Sequence, residues 1–485
     1  MAPVITALDS TVFTGLQENN SDICTLEATV VTGLEDVAQQ ECREKLGAPC
    51  TVARGRIFID IELHRVPEVL KLRSVDNVNI ILKMVQSFGF PSEREQCFEK
   101  LYKFAETVDW RKGMKVWKEI FHYSDDPIKE IKTLQNDYAK PRPELDLKSL
   151  KASSEIINQL PQSILPEHLK TGGHNSVPEV NNTGIGLTEQ KTPVGDNNTS
   201  DAVGPKFRVT CNRTGSSHKF GSPEAARQFG AGVNEMFGWP VSLSKFDLEI
   251  LLYIDTEFVY VAVCLTREPM FKRNLSHFGP TNLRATTCYN MIRLASPKPG
   301  DIIVDPMCGG ATIPMEGCLT YSNSMHIGGD NFGQAVKRSR ENIENLLKKG
   351  KSMPIDVAQW DATKLPFRDQ SVDVIVSDLP FGKRLGSKID NRVLYYRSLV
   401  EMARVTRPET GRAILLTQDR NSMLKNIKRV PMLWRSSASR TVNIGGLTAV
   451  IYILQRTSLC PDPIIMAEKK SNSIIDETSQ ASASS

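Results

Sequence analysis

The stretch "DIIVDPMCGGATIPMEG", residues 301–317, decides the fold of the second half of this chain. It opens on an apolar run, breaks at Asp305 and Pro306, passes through Gly309 and Gly310, and turns apolar again. A short apolar run closed by turn residues reads as a buried strand, and the apolar segment after the glycines reads as a helix. The same rhythm returns in "SMHIGGDNFGQAVKRSRENIENLLKKG" (324–350), "IDVAQWDATKLP" (355–366), "SVDVIVSDLPFG" (371–382) and "GRAILLTQD" (411–419). Continuous apolar strands alternating with helices imply an α/β unit, a parallel sheet covered on both faces, over residues 300–458. "TVNIGGLTAVIYILQR" (441–456) closes it as an antiparallel hairpin at the sheet edge, turning at Gly445-Gly446.

Upstream the pattern is different. In "TLEATVVTGLEDVAQQECREKLGAPCTVARGRIFIDIEL", Thr25 to Val31 reads as a strand, and Thr32 with Glu35 as a capping box opening a helix that stops at Gly47. Two short strands around Arg54-Gly55, then a short helix and a strand in "VPEVLKLRSVDNVNIILKMV", complete the ferredoxin-like order. That region is assigned to 23–139. A second small α/β unit comes next at 206–270: the strand "KFRVTCNR", a helix capped by Ser222, and a strand pair across "DTE". Residues 271–299 form a linker and helix.

Residues 1–22, 140–205 and 459–485 are polar and poor in aromatic residues, and are expected to be flexible tails and a disordered insertion. A chain of 485 residues with 40% hydrophobic and 24% charged residues suits a globular protein of two or three domains. No apolar run approaches the ~18 residues a membrane helix requires, so no membrane partner is expected. Ten cysteines without zinc spacing, behind an N-terminus that lacks a secretion pattern, are expected to be reduced thiols of the cytoplasm or nucleus, with no metal site. A net charge of +4 is too small to argue for nucleic acid.

In an open parallel sheet, ligands collect at the carboxyl ends of the strands. Asp305 ends the first strand and is followed by Cys308, Gly309 and Gly310, where missing side chains let a ligand approach the backbone. Asp330, with Asn331 beside it, ends the second and can accept from ribose hydroxyls. Asp361, followed by Ala362, ends the third and can accept from an adenine amino group. The glycine loop matches neither G-x-x-x-x-G-K-[ST] nor G-x-G-x-x-G, and it carries no Lys or Arg for phosphate. An adenosine without phosphates fits best, and S-adenosylmethionine meets that requirement.

The fourth strand ends in Asp378, Leu379, Pro380 and Phe381. A nucleobase amine is a poor nucleophile because its lone pair is delocalised into the ring. The Asp378 carboxylate and a main-chain carbonyl near Leu379 or Pro380 can hold its two N–H bonds, with Pro380 limiting backbone movement. Phe381 can stack on a base that is flipped or unpaired, and Lys383 and Arg384 can hold the flanking phosphate.

"DPMCGGATIPMEG" and "SDLPFGKR", with "FRVTCNR" and "HFGPTNLRATTCYNMIRLA", resemble the THUMP-domain tRNA guanine-N2 methyltransferases, in particular the eukaryotic acceptor-stem enzymes. The resemblance covers about residues 23–140 and 205–456. It implies a ferredoxin-like plus THUMP α/β unit that grips the tRNA 3′ end, then a Rossmann-like class I methyltransferase domain. It implies S-adenosyl-L-methionine as cofactor, tRNA as substrate and a small zinc-binding activator subunit as partner. Carried onto this chain, Asp305, Gly309 and Gly310 line the amino-acid end of the cofactor, Asp330 the ribose and Asp361 the adenine. Asp378, Pro380 and Phe381 handle the guanine. One departure stands out: the family has Gly-Thr-Gly where this chain reads Gly309-Gly310-Ala311. If the third position needs a positive φ, Ala311 costs about 1–2 kcal/mol, with Gly310 the residue expected to absorb the adjustment.

Arg208, Arg213, Arg227 and His277 complete the candidate RNA contacts, although His277 reads first as a structural loop residue and only second as a hinge or RNA contact. Cys308 beside the glycines is small enough to be simply a packing residue. Two rival readings remain open from the residues alone: an N6-adenine or protein-glutamine methyltransferase with the same pocket, and a non-catalytic RNA-binding module.

Overall fold

The computed structural model describes residues 16, 22–128, 204–215, 218–277, 279, 282–351, 353–381 and 388–459. The expected tails and insertion lie almost wholly outside these residues.

The first half begins β1 (Ile23–Thr29), α1 (Glu35–Leu46), β2 (Cys50–Ala53), β3 (Arg56–Glu62), α2 (Val66–Val69) and β4 (Val78–Gln86). Its strands lie in the order β2-β3-β1-β4 with every neighbouring pair antiparallel, as the ferredoxin-like reading expects. Helix α1 stops at Gly47, whose φ of 61° suits a residue without Cβ. Its start differs from expectation. Leu34 is the cap, and the Glu35 carboxylate accepts the Gly33 and Gly55 amides, each at 2.8 Å. Glu35 thus ties the helix start to the β2–β3 turn, and Thr32 supplies no cap.

Next come α3 (Arg94–Phe104), α4 (Arg111–Phe121), β5 (Phe207–Arg213), α5 (Ser222–Phe237), β6 (Leu248–Ile254) and β7 (Phe258–Cys264). Gly221 caps α5, its amide donating to Glu224, so Ser222 is the first helical residue and not the cap. The two units read separately in the sequence form one sheet, because β7 pairs antiparallel with β4 to give the order β2-β3-β1-β4-β7-β6-β5. Val259, Val261 and Val263 of β7 point into the main core, while Phe258, Tyr260 and Ala262 join a second apolar cluster on the other face. That alternation is the period of a strand covered on both sides.

The second half contains α6 (Ala285–Ala295), β8 (Ile302–Asp305), α7 (Thr312–Cys318), β9 (Met325–Asp330), α8 (Gly333–Lys348) and β10 (Ile355–Gln359). It continues with β11 (Val374–Asp378), α9 (Lys388–Val405), β12 (Arg412–Thr417), α10 (Arg420–Arg429), β13 (Trp434–Ile444) and β14 (Leu447–Arg456). The strands run β10-β9-β8-β11-β12-β14-β13, the first five parallel. The hairpin β13–β14 is antiparallel as expected, but its second strand is the inner one. Strand order reverses between β8 and β11, which opens a crevice at their carboxyl ends.

The halves pack as one body. Buried Glu41 of α1 accepts the Tyr289 hydroxyl of α6 at 2.7 Å, and Asp76 accepts Thr286 at 2.6 Å and Arg284 at 3.0 Å. The β13–β14 hairpin reaches back to the first half, where the Asn443 amide donates to the Thr32 carbonyl at 3.1 Å.

Candidate active site

Asp305, Asp330 and Asp378 end β8, β9 and β11, and Asp361 lies two residues past β10. The aspartates expected at strand ends therefore lie at the carboxyl ends of the parallel strands of one sheet, with Asp305 and Asp378 flanking the switch point.

Asp305 is buried, its Oδ1 accepting the Ser377 hydroxyl at 2.7 Å and the Met307 amide at 3.2 Å. Burial pushes its carboxyl up to about 7 against those two bonds. Asp378 is half-buried, and its Oδ1 is shut off from solvent with no hydrogen-bond partner among the described residues. Burial, then the charge of Asp305, raises this carboxyl to about 8. A shielded carboxyl oxygen without a donor costs stability, and an N–H brought to this crevice would supply one.

The second acceptor is expected at the Leu379 or the Pro380 carbonyl, and the structure distinguishes the two. The Pro380 carbonyl is taken by Asn391 Nδ2 at 3.0 Å and the Tyr395 hydroxyl at 2.6 Å. Tyr395 also shares a 2.7 Å bond with Thr417 at the end of β12. The Leu379 amide donates to Leu416, while its carbonyl receives no donor among the described residues. Leu379 is therefore the available carbonyl, and Pro380 is the clamped hinge behind it. Phe381 is half-buried at the end of this segment, and Lys383 and Arg384 lie outside the described residues.

On the cofactor side, Asp330 Oδ2 accepts the Gly309 amide and Oδ1 the Phe332 amide, each at 3.0 Å. These bonds fix the carboxylate in plane and leave lone pairs for vicinal hydroxyls. Asp361 is exposed with Oδ1 on the Thr363 amide at 2.8 Å; Ala362 is buried and Asn331 exposed. Gly309 has φ 54°, and Ala311 itself adopts the left-handed conformation at φ 62°; Gly310 does not. The adjustment expected of Gly310 thus falls on Ala311. Cys308 points away from the crevice into the apolar cluster of α7 and α8, its Sγ 3.9 Å from the Ser339 hydroxyl. Burial holds its thiol far above the usual range, so only its backbone remains for the pocket.

Three further residues belong here. Asn282 lies beside Gly310, and its Nδ2 is buried without a partner among the described residues. It sits within the stretch "HFGPTNLRATTCYN", but nothing local marks it as a donor. Asn391 and Tyr395 are spaced i, i+4 on one helical face, a signal legible in the sequence only once their target is known.

The other candidate RNA residues are not gathered at this crevice. Arg208 and Arg213 are on β5, the outermost strand of the first sheet, and Arg208 is committed to Glu249 at 2.8 Å while stacking on Phe246. Arg213 is half-buried, its Nε without a partner among the described residues, and Arg227 is exposed on α5. The His277 backbone is pinned by Asn342 of α8 at 2.8 Å and 3.1 Å, which supports its reading as a structural loop residue.

The family model described as RMKL-like, methyltransferase domain, matches residues 273–449, and that of the THUMP domain matches residues 192–263. The chain is 41% identical over 448 residues to the Bos taurus tRNA (guanine(6)-N(2))-methyltransferase THUMP3, covering 89% of this chain and 88% of that protein. It is 40% identical over 449 residues to the Homo sapiens protein of that name, covering 90% and 89%. The solved structure of TrmN from Thermus thermophilus matches with a TM-score of 0.61 at 22% identity over 90% of this chain and 99% of that one, a likeness of fold. With the THUMP unit, the crevice between β8 and β11 and these relatives in hand, the chain belongs to the family of THUMP-domain tRNA (guanine-N2)-methyltransferases.

Proposed function

We propose that this chain methylates the N2 amine of a guanosine in tRNA with S-adenosylmethionine, at the position that the name of its relatives gives as guanine 6. The observation that carries this reading is the Asp378 Oδ1 beside the Leu379 carbonyl, two acceptors at the lip of the switch point that have no donor among the described residues. The pocket residues fit the cofactor. Asp330 and Asp361 would hold the adenosine, and Asn282, whose side chain lies beside Gly310 and whose Nδ2 has no partner among the described residues, offers a donor to its carboxylate end. When bound, the cofactor supplies an electrophilic methyl group.

The chain's own residues prepare the amine. Asp378 Oδ1 and the Leu379 carbonyl each accept one N–H, which turns the nitrogen lone pair out of the ring plane. Phe381 stacks on the base, and Asn391 with Tyr395 keeps the Pro380 peptide from swinging. Methylation leaves the nitrogen with one proton too many, and a carboxylate of raised proton affinity at Asp378 is suited to take it. Most of the gain comes from holding reactants in line.

The U6 snRNA (guanine-N(2))-methyltransferase THUMPD2 of Mus musculus is 26% identical over 413 residues, against 41% for the Bos taurus tRNA enzyme, so tRNA is the favoured substrate. A small zinc-binding activator subunit is part of the proposal. Strand β10 is the outermost strand on the cofactor side and pairs with β9, which ends in Asp330, and a subunit covering its free edge would stiffen that side. The nine described cysteines are free thiols, which supports a cytoplasmic setting.

The test is labelled-methyl transfer to unmodified tRNA and U6 transcripts, with and without the activator, followed by nucleoside analysis. N2-methylguanosine in tRNA is expected. Label in adenine or in a protein glutamine, or no cofactor binding even with the activator present, overturns the reading.

A further inference from the structure

A cavity of about 500 Å³ lies at the seam between the two halves, away from the methyl-transfer crevice. The first half contributes Lys71 and Arg73, the segment leading to α6 contributes Arg273, and Lys351 comes from beyond α8. Among the described residues no acidic side chain lines it. One acid stands behind the wall: buried Glu316 of α7 accepts Arg73 at 2.6 Å, Arg273 at 3.0 Å and Asn274 at 2.6 Å. That contact is enough to explain the two arginines as a bond between the halves. It does not explain the two lysines. Lys71 and Lys351 are exposed, no described residue pairs with either, and Arg73 Nε is shut off from solvent without an acceptor among the described residues. Four cations around one cavity with a single buried counter-charge leave a positive concavity, which concentrates anions.

We propose that this seam cavity is a phosphate-binding subsite that takes a backbone phosphate of the RNA substrate. The RNA source of that phosphate rests on the functional reading above. Cys318 and Leu319, at the far end of α7, line the cavity, and Gly310 and Ala311 precede the near end of that helix. A seven-residue helix spans about 10 Å, so the cavity lies about that far from the glycine loop, and backbone flanking a guanine held at the adjoining switch point can extend to the lysines. Because both halves supply ligands, a phosphate here would also hold them in register.

The test uses the full chain with Lys71→Ala and Lys351→Ala combined, both on the surface and outside the methyl-transfer machinery. Filter binding of unmodified tRNA transcript is measured from low to high salt, beside inorganic phosphate as a titrant and competitor. The variant should bind tRNA severalfold more weakly at low salt, with a salt slope smaller by about one to two. Cofactor affinity and melting temperature should not move, and phosphate should compete with tRNA in the parent more than in the variant. An unchanged salt slope together with no phosphate effect overturns the subsite. Phosphate binding lost in the variant with an unchanged tRNA slope overturns the RNA source and keeps the phosphate chemistry. Methyl transfer by the parent is assayed alongside: a parent that binds tRNA without methylating guanine sinks the functional reading and leaves this test intact.

Discussion

Asp378 and Asp305 end adjacent parallel strands, and the charge of Asp305 adds to burial in raising the Asp378 carboxyl to about 8. Both groups are deprotonated late, and each is protonated in part at neutral pH. An acceptor for an amine must be ionised. In the free enzyme kcat/KM should therefore fall as pH drops below about 8, by about tenfold per unit once the limb is established. The limb belongs to the interacting pair and not to one carboxyl. Asp305→Asn, which removes the neighbouring charge, should move the midpoint to lower pH. A flat profile from pH 6 to 9 counts against Asp378 as the acceptor.

Stability gives the same groups an independent readout. Asp378 rises from an ordinary 3.8 to about 8 on folding, so between those values the folded state holds more protons than the unfolded one. Stability at this site is fully present below about pH 4 and is lost as pH rises through 8. Asp378→Asn cannot ionise and escapes that loss. It should melt above the parent at pH 8.5 and converge with it near pH 4. Asp378→Ala should lower kcat by about 100-fold or more while cofactor affinity stays within a few-fold; simultaneous loss of cofactor binding would mean that the residue supports the fold.

Tyr395 donates to the Pro380 carbonyl and shares a bond with Thr417, so it positions the peptide that presents Leu379. Tyr395→Phe keeps the ring in its buried site and deletes the hydroxyl. The cost in stability should be about 1–2 kcal/mol. A purely structural role ends there. A positioning role adds a fall in kcat of about tenfold with the KM for the cofactor unchanged, deepened by Asn391→Ala. Equal kcat for parent and Tyr395→Phe would remove the clamp from the mechanism.

Legibility in the sequence tracks burial. Strands β8, β11 and β12 are largely buried and so read as apolar runs ending in Asp305, Asp378 and Thr417, whereas β9 (MHIGGD) is marked by its glycines and by Asp330 at its end. The junction of β4 with β7 left no local trace, because the partners Ile80 and Val263 are far apart in the chain and pair by register alone. The reach of Tyr395 to Pro380 is hidden for the same reason, since a helix face shows its spacing and not its target. Glu35 misled in a different way. Its spacing from Thr32 suits a capping box, yet a closer pair of amides, at Gly33 and Gly55, takes both oxygens.

Ala311 shows why a departure from the family's glycine is tolerated. A left-handed φ costs an alanine about 1–2 kcal/mol. Its buried methyl returns about 0.8 kcal/mol, and glycine would lose a further 0.5–1 kcal/mol of chain entropy, roughly. These terms nearly cancel. Ala311→Gly should therefore change stability by less than about 1 kcal/mol and cofactor affinity by less than about threefold. Ala311→Val, β-branched at the same φ in a fully buried site, should destabilise by more than about 2 kcal/mol. A large gain from glycine in calorimetry would show that the loop is strained and not adjusted.

Gly329 holds the cofactor side together by leaving room. A Cβ there would lie 2.0 Å from the Trp360 ring, which packs over β9 and donates its indole N–H to the Pro306 carbonyl at 3.1 Å. Pro306 comes directly after Asp305, and the Trp360 amide also donates to the Asp330 carbonyl at 3.2 Å. The ring is buried and cannot swing into solvent without opening the cluster around Leu365 and Tyr395. Gly329→Ala must therefore displace the indole, and with it the two carbonyls, of Pro306 and Asp330, that Trp360 holds beside the pocket aspartates. Overpacking of this kind costs about 1–3 kcal/mol, and the aspartates should lose cofactor affinity about tenfold in isothermal titration. Trp360→Ala combined with Gly329→Ala should relieve the clash and return part of that affinity. If the single variant binds cofactor as the parent does, the indole is only filler and the link from Gly329 to the pocket is broken.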